Sequence, residues 1–320
     1  MTPRPIRIQT PSRLHFGLLS WGPNAPRQFG GVGLMIDAPG LELSAEPALE
    51  WKAEGPLASR VLQVARRVSD RLEGIGVPVS PAHFRVFRAP EEHAGLGVGT
   101  QLSLAVARLL TRLAGLPDPS AEQLADLSGR GLRSGIGLHG FLHGGLIVDG
   151  GRRAPEGFPP LLSRLEFPAE WSVLVLVPER NSGLHGPEEA QAFAALPPIP
   201  EDVTDRLSRL VLLGLMPAVI ERDLAAFGEA LTEIQGIVGQ CFAPAQGGPY
   251  ARPELERLVK ALRAEGLHGV GQSSWGPTLY GFSREPEPHR AEQARRLRDQ
   301  LQLGGVPLFW TQANRTGAVM

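Results

Sequence analysis

A glycine-rich loop at residues 93–101 (HAGLGVGTQ) has the composition and spacing of a phosphate-binding loop. Its glycines alternate at 95, 97 and 99, and glycine lets the backbone adopt positive φ and approach a ligand closely. A helical pattern follows, so the unpaired N–H groups of a helix N-terminus would face an anion. Neither a dinucleotide fingerprint nor a Walker loop fits, because no third gap of two residues appears and no lysine follows. As a bare pattern, the loop is a phosphate site or a structural turn.

Two further loops combine small residues with basic or polar side chains. Residues 130–137 (RGLRSGIG) contain two arginines, of which Arg133 is suited to hold a phosphate or a carboxylate. The alternative for Arg133 is a solvated side chain on a turn. Residues 269–277 (GVGQSSWGP) precede a predicted strand, which would let their polar side chains face a cleft. By itself, this third loop is equally typical of an ordinary connection.

Arginine and histidine side chains near the N-terminus supply further candidates. Residues 12–17 (SRLHFG) place Arg13 and His15 at the end of a predicted strand, and residues 27–33 (RQFGGVG) place Arg27 beside permissive glycines. His15 is either a hydrogen-bond or proton donor to a leaving group, or a structural histidine at the strand end.

Metal binding has less support in the sequence. His139 and His143 lie four residues apart, as a helical metal pair would, but no third ligand has a useful spacing. Asp149 is a candidate magnesium ligand, although a carboxylate directly before Gly150 favours a turn-capping role. The sequence therefore leaves the ligands of any metal open.

Hydrophobic periodicity predicts the elements that must position these loops. Alternation indicates strands, apolar residues three and four apart indicate helices, and Ser120 with Gln123 resembles a capping box. The predicted strands include 6–9, 84–88, 146–149, 173–177, 278–282 and 307–311, the predicted helices 61–72, 101–114, 202–216, 223–235, 253–264 and 289–302, and the loop-like stretches 17–33 and 180–200. This mixture favours an α+β fold, with domains at 1–165 and 166–320.

Composition excludes several classes of protein. The 320 residues carry 32 Lys+Arg and 33 Asp+Glu, so no broad positive field supports general nucleic-acid binding. Cys241 is the only cysteine, which excludes an internal disulfide and a multi-cysteine metal site. The apolar run at 211–220 is shorter than the ~18 residues that span a membrane, and the N-terminus lacks a signal-peptide pattern. We therefore expect a soluble cytoplasmic protein without nucleic-acid or membrane partners.

Three of these segments resemble, in order, the signature regions of the GHMP kinase superfamily. They are residues 11–17, 95–100 and 271–276, and the resemblance covers nearly the whole chain. It implies an N-terminal α+β domain with a left-handed βαβ crossover and a C-terminal ferredoxin-like domain. The ligand cleft would lie between the two domains.

One position departs from the kinase pattern. GHMP kinases carry a Ser-Gly-x-Asp element whose Asp serves as catalytic acid/base, whereas Ser134-Gly135-Ile136 is followed here by Gly137. Glycine cannot accept a proton or orient a hydroxyl nucleophile. An ATP-dependent small-molecule kinase with a relocated base stays open as the alternative function.

The chain resembles the β-ribofuranosylaminobenzene 5′-phosphate synthase family more closely. The matching segments are residues 12–17, 27–33, 93–101, 133–137, 143–145 and 312–318. That family uses the GHMP scaffold without ATP and condenses phosphoribosyl pyrophosphate with 4-aminobenzoate. It releases CO2 and pyrophosphate, and its product supplies methanopterin-type cofactor biosynthesis. The resemblance thus implies a homodimeric pentosyltransferase.

The chemistry of that reaction gives hypothetical roles to the candidate residues. Negative charge builds on the departing pyrophosphate, where arginines, backbone N–H groups and Mg²⁺ accompanying the substrate would stabilise it. The predicted catalytic residues are Arg13, His15 and Arg133. The predicted substrate- and phosphate-binding residues are Arg27, Gly95, Gly97, Gly99, Thr100, Gln101, Ser134, Gly135, Gly271, Gln272, Ser273 and Ser274. ATP is not expected, and the acceptor stays open because 4-hydroxybenzoate is a close isostere of 4-aminobenzoate.

Overall fold

A computed structural model describes residues 4–23, 25–153, 157–178 and 187–320. The N-terminal half contains one six-stranded sheet in which β3-β4-β2-β5-β6 are neighbours and β1 pairs with β2. Its strands are β1 (Ile6–Ser20), β2 (Phe29–Pro47), β3 (Lys52–Glu54), β4 (Ala82–Arg88), β5 (Leu146–Asp149) and β6 (Leu161–Leu165). Strands β3 and β4 are parallel, and the other pairs are antiparallel.

Four helices accompany this sheet, and their apolar residues explain where they lie. They are α1 (Ala58–Gly74), α2 (Val98–Leu113), α3 (Ala121–Ser128) and α4 (Ile136–His143). Helix α1 buries Val61, Val68 and Leu72 on one face, as the helical spacing predicts. Helix α3 begins at the predicted capping box, in which the Ser120 and Gln123 side chains each bond the other's backbone N–H.

The C-terminal half has the ferredoxin-like strand order, β10-β7-β9-β8, with every neighbouring pair antiparallel. Its elements are β7 (Ser172–Leu176), α5 (Pro187–Ala194), α6 (Glu201–Leu210), a π-helical turn (Val211–Leu215), α7 (Met216–Glu221), α8 (Leu224–Gln246), α9 (Pro253–Ala264), β8 (His268–Gln272), β9 (Leu279–Ser283), α10 (Glu287–Leu301) and β10 (Leu308–Gln312). The two-domain α+β fold is therefore confirmed.

A shared core and a returning C-terminal tail join the two halves. The Phe16 ring of β1 lies 5.2 Å from the Tyr280 ring of β9, and both side chains are fully buried. After β10 the chain returns to the first sheet, where the backbone N–H of Gly145 donates to Asn314 O at 2.6 Å. Residues 313–320 therefore pack on the N-terminal half, although sequence alone assigned them to the second domain.

Three stretches differ from the sequence-based prediction. Most of 17–33 is strand, because β1 continues to Ser20 and β2 begins at Phe29. The predicted helix 202–216 is interrupted by the π-helical turn, which ends two residues before Pro217, whose ring nitrogen has no hydrogen to donate. The stretch 180–200 contains α5, and its residues 180–186 lie outside the described part. No helix in the described residues is long and apolar enough to cross a membrane.

Candidate active site

A cleft of about 520 Å³ lies between the two halves and is lined by both. Five arginines line it: Arg13, Arg60, Arg130, Arg133 and Arg252. Among the described residues that line the cleft, Glu92 is the one carboxylate, and its oxygen lies 3.8 Å from Arg60 Nε. Such a concentration of fixed positive charge is suited to a polyanionic ligand.

The glycine loop forms one wall of the cleft and leads into α2. Gly95 and Gly97 have φ of +88° and +73°, which side-chain-bearing residues rarely adopt. A Cβ added at Gly95 would lie 2.5 Å from Ser273 O, so glycine is also required for space. The first turn of α2 contains no acidic residue, and its N–H groups are suited to an anion.

Two arginines hold the glycine loop from opposite sides. Arg13 crosses Gly97, where an added Cβ would lie 3.2 Å from Arg13 Cβ and 3.3 Å from its Nε. Arg130 lies against Gly99, and its Nε donates to Ser103 Oγ at 3.2 Å. Burial, followed by the charge of nearby arginines, lowers the pKa of Arg130.

Gly137 takes the position at which the GHMP kinase pattern has a carboxylate, and it lies against Thr100 and Arg13. A Cβ added at Gly137 would lie 2.9 Å from Thr100 Cγ2 and 3.9 Å from Arg13 Cδ. The space beside Gly137 is thus filled by a methyl group and an arginine stem. No carboxylate of the described residues takes its place there.

A hydrogen-bonded chain runs from a buried carboxylate to the cleft. Asp149, which is fully buried on β5, accepts from Ser134 Oγ at 3.2 Å, and Ser134 Oγ lies 3.0 Å from His15 Nε2. Asp149 also accepts backbone N–H bonds from Gly135 and Gly151, each at 2.9 Å. The turn-capping interpretation of Asp149 is therefore confirmed, with an additional link through Ser134 to His15.

Comparisons with known proteins decide the family. The family described as GHMP kinases C terminal matches residues 215–302. A β-ribofuranosylphenol 5′-phosphate synthase from Methanothermobacter thermautotrophicus is 36% identical over 87% of this chain and 88% of its own length. The synthase of the same name from Archaeoglobus fulgidus is 32% identical, with the same coverage. This chain belongs to the β-ribofuranosylphenol 5′-phosphate synthase family.

Membership of this synthase family makes the chain an enzyme of the transferase type, as the sequence resemblance implies. A solved homoserine kinase from Cytophaga hutchinsonii superposes with a TM-score of 0.69 at 14% identity, covering 99% of this chain and 97% of the kinase. That likeness shows the shared GHMP fold. This chain thus combines a kinase-like scaffold with Gly137 at the position where the GHMP kinase pattern has its acid/base.

Ten of the predicted site residues of this family member line the cleft. They are Arg13, His15, Gly95, Gly97, Gly99, Thr100, Arg133, Ser134, Gln272 and Ser274. They come from both halves, so the fold brings together residues that are up to 261 positions apart in sequence. Their contacts with substrate remain predictions.

The other five predicted residues are not among those that line the cleft, and their contacts are with neighbouring protein groups. Arg27 donates to Gly150 O at 2.6 Å and Gly151 O at 2.9 Å, holding the turn that follows Asp149. The corresponding contacts of the others are Gln101 Nε2 with Gly137 O at 2.9 Å, Gly135 N with Asp149, Gly271 against the Gln235 side chain, and Ser273 Oγ with Gly95 O at 2.7 Å. These contacts connect the loops to each other, so the polar groups involved are directed at other parts of the protein.

Sequence reasoning missed an aromatic end of the cleft. Phe193 of α5, Phe242 of α8 and Trp275 of the β8–β9 loop all line it. The Phe242 and Trp275 rings lie 4.7 Å apart, and Arg133 Cζ lies 5.6 Å from the centre of the Phe193 ring. These aromatic residues belong to three separate elements, so no local spacing pattern marks them. Arg60, Glu92 and Arg252 were missed for the same reason.

The titration of Asp149 predicts how stability depends on pH. Burial raises the pKa of this carboxyl from 3.8 to about 6, so the folded protein binds the proton more tightly than the unfolded chain. The stabilisation from this group is complete below about pH 4 and is lost as the pH rises through 6. In an Asp149→Asn variant this loss disappears. We expect the wild-type minus variant unfolding free energy to fall by about 2.5 kcal/mol between pH 4 and pH 7.5.

Urea unfolding across that pH range measures the difference directly. Asp223→Asn provides a matched control, because Asp223 caps α8 through Ala226 N–H and is solvent-exposed. Parallel pH profiles for wild type and Asp149→Asn would contradict a buried, proton-binding carboxyl.

Proposed function

We propose that this enzyme transfers the phosphoribosyl group of phosphoribosyl pyrophosphate to a 4-substituted benzoate, with release of pyrophosphate and CO2. The observation that carries the proposal is a single cleft lined both by a glycine loop flanked by Arg13 and Arg130, its arginine end, and by three aromatic rings beside Arg133, its aromatic end. We place this reaction in methanopterin-type cofactor biosynthesis. We also propose that the enzyme works in the cytoplasm as a homodimer.

The arginine end suits the donor. Phosphoribosyl pyrophosphate carries a 5′-phosphate and a pyrophosphate, and Arg13, Arg130 and the N-terminus of α2 surround the glycine loop. Fixed N–H donors of this kind stabilise the charge that develops on the departing pyrophosphate. They are held in place before substrate binds, so little reorganisation opposes the reaction.

The aromatic end suits the acceptor. The Phe193, Phe242 and Trp275 rings form tilted and edge-to-face pairs, an arrangement that admits the flat ring of a benzoate. Arg133 lies beside Phe193, where it can orient the carboxylate. Because Arg133 is exposed, its grip is weakened by solvent, which leaves the carboxylate able to depart as CO2.

The proposed reaction needs no strong base. The bond between the anomeric carbon and the pyrophosphate oxygen breaks, and its electron pair leaves with pyrophosphate. The ring carbon that bears the carboxylate then bonds to the anomeric carbon, and the carbon–carboxylate pair returns to the ring as CO2 departs. Positioning and anion stabilisation are the main requirements, which explains why glycine is acceptable at position 137.

Magnesium fits this site as a companion of the substrate. The described residues contain no group of three or more metal-ligating side chains, so a dedicated protein cage is absent from them. Glu92, the carboxylate among the described residues that line the cleft, is the residue that would hold Mg²⁺ there. When bound, Mg²⁺ supplies neutralising charge to the leaving group. We propose that ATP takes no part.

The proposal also specifies which group the benzoate acceptor carries at its 4-position. The curated relatives are named for a phenol product, whereas the sequence resemblance implied an aminobenzene product. Their names favour 4-hydroxybenzoate, and we propose it as the preferred acceptor, with 4-aminobenzoate as the comparison substrate.

Release of labelled CO2 tests the reaction. The protein is mixed with Mg²⁺, phosphoribosyl pyrophosphate and either carboxyl-labelled benzoate, and a parallel sample receives γ-labelled ATP with the same acceptors. Labelled CO2 with equal pyrophosphate supports the proposal, and the faster acceptor identifies the 4-substituent. Phosphate transfer from ATP without CO2 release would support the kinase alternative instead.

Replacing Trp275 with alanine tests the acceptor end. We expect the KM for the benzoate to rise about tenfold, because a ring contact and its buried area are lost, while the KM for phosphoribosyl pyrophosphate changes little. Steady-state kinetics with each substrate varied in turn separates the two. Trp51→Ala is the matched control, since Trp51 stacks on Phe84 outside the cleft. An unchanged benzoate KM in Trp275→Ala would place the acceptor elsewhere.

A further inference from the structure

His15 lies between the two ends of the cleft. It is two residues from Arg13 on β1, so both side chains project on the same side of the strand. Further along β1, Leu18 packs with Trp21 and Phe29 in the cluster that adjoins Phe193 and Trp275. The strand thus runs from the glycine loop to the aromatic end, and His15 lies where a donor sugar and an acceptor ring would meet.

The hydrogen bonds of Ser134 fix which ring nitrogen of His15 carries the hydrogen. A hydroxyl has one hydrogen and two lone pairs, and ionised Asp149 can only accept, so it takes the Ser134 hydrogen. Ser134 Oγ must then accept from Ile136 N–H at 3.3 Å and from His15 Nε2 at 3.0 Å. His15 therefore carries its hydrogen on Nε2, and Nδ1 keeps a lone pair.

The backbone of His15 is held as firmly as its ring. Its N–H donates to Ser273 Oγ at 3.0 Å, and its carbonyl accepts from Ser274 N–H at 3.1 Å. Among the residues that the structure describes, His15 Nδ1 has no hydrogen-bond partner. A rigid ring with one uncommitted acceptor thus lines the cleft.

We propose that Asp149 and Ser134 are positioning residues that hold His15 as the neutral Nε2–H tautomer, with its Nδ1 lone pair directed at the sugar carbon that loses pyrophosphate. This inference rests on the proposed function. As the carbon–oxygen bond breaks, positive charge develops on the sugar, and a neutral nitrogen lone pair stabilises that charge. An imidazolium at the same place would repel it.

The charges that face His15 agree with a neutral ring. Burial, and then the charge of Arg13, lowers the pKa of His15 well below its usual range. Asp149 lies behind Ser134, and Arg133 directly precedes Ser134 in the chain. Because Nε2–H is committed to Ser134, the predicted role of His15 as a proton donor to the leaving group is replaced by that of a lone-pair donor to the sugar. No proton is transferred at His15 in this step.

Three substitutions test the relay through turnover at saturating substrates. His15→Gln keeps an N–H donor for Ser134 but removes Nδ1, Ser134→Ala breaks the link, and Asp149→Asn removes the charge. We expect each to lower kcat about 10- to 100-fold while the KM for phosphoribosyl pyrophosphate changes less than threefold. Ser134→Thr retains a hydroxyl and is expected to recover most of the turnover lost in Ser134→Ala. Asp223→Asn is the control for loss of a capping carboxylate.

Two further measurements show whether Ser134 and Asp149 position His15 or only support the fold: the turnover of the double variant and the pH dependence of kcat. The Ser134→Ala/Asp149→Asn double variant should be no slower than the slower single variant, because both act through His15. In the wild type we expect kcat to fall at acidic pH with a midpoint near pH 6, because Asp149 becomes protonated there. This fall should be absent in Asp149→Asn. Near-UV circular dichroism and thermal unfolding establish that each variant is folded. If Asp149→Asn does not fold, the His15→Gln and Ser134→Ala turnovers decide the outcome.

The possible results discriminate between the relay and the proposed function. Wild-type kcat in His15→Gln, or additive losses in the double variant, would overturn the relay while leaving the function intact. Absence of CO2 release by the folded wild type would overturn the function itself. A threefold or greater rise in KM without a fall in kcat would show that these residues bind substrate and do not position His15.

Discussion

Arg13→Ala is expected to raise the KM for phosphoribosyl pyrophosphate about 100-fold. Arg13 crosses Gly97 at the wall of the cleft, so its guanidinium is already placed beside the phosphate loop. Losing a charge-assisted contact costs roughly 1.5–3 kcal/mol, and a partly buried side chain belongs at the upper end of that range. Isothermal titration with phosphoribosyl pyrophosphate and Mg²⁺, together with steady-state kinetics, measures the change.

Three further arginine variants provide comparisons for the effect of Arg13→Ala. Arg13→Lys keeps the charge but loses the planar fork, and we expect an intermediate loss. Arg133→Ala should instead raise the KM for the benzoate about tenfold, because Arg133 lies beside Phe193 at the acceptor end and its charge is screened by solvent. Arg112→Ala is the control, since this exposed arginine ends α2 outside the cleft. Donor binding in Arg13→Ala equal to that of Arg112→Ala would show that Arg13 holds no phosphate, and an unchanged benzoate KM in Arg133→Ala would show that Arg133 does not hold the carboxylate.

Gly137→Asp, which restores the residue that GHMP kinases carry, is expected to lower kcat at least 100-fold without creating a kinase. The added Cβ would lie 2.9 Å from Thr100 Cγ2, so the helix start or the glycine loop must shift. The new carboxylate would also lie beside Arg13, neutralise it and repel the substrate phosphates. CO2 release and transfer from γ-labelled ATP are measured on the same sample.

Gly137→Ala separates steric from electrostatic effects. Alanine introduces the same close contact with Thr100 but no charge, so we expect a smaller loss than in Gly137→Asp. Combining Gly137→Asp with Thr100→Ser removes the Cγ2 methyl and relieves the contact. The double variant should remain slow because the charge beside Arg13 persists. Turnover restored by Thr100→Ser would mean that the effect is steric alone.

Much of this enzyme was predictable because its signals are local. The spacing of Val61, Val68 and Leu72 predicts α1, and the capping box at Ser120 predicts the start of α3. The alternating glycines before α2 predict an anion loop from φ requirements alone. Gly137, read against the kinase pattern, shows from a single position that the expected acid/base for phosphoryl transfer to an alcohol is missing.

Tertiary structure decided which predicted residues face the ligand. Sequence gives residue type, but it cannot tell whether a polar side chain is committed to the protein. Arg27 donates to two backbone carbonyls and Ser273 joins two loops, whereas Arg13 lines the cleft. Hydrogen-bond partners far apart in the chain make that difference, and no local pattern records them.

The amino-acid sequence by itself determined the family, the two-domain scaffold and the presence of the glycine-rich loops, because these depend on periodicity and on residues adjacent in the chain. Only the folded structure decided the aromatic end of the cleft and the link from Asp149 through Ser134 to His15. Phe193 and Trp275 are 82 positions apart, and Asp149 is 134 positions from His15. Such sites exist because chain folding, driven by burial of the shared core, brings distant side chains within a few ångströms.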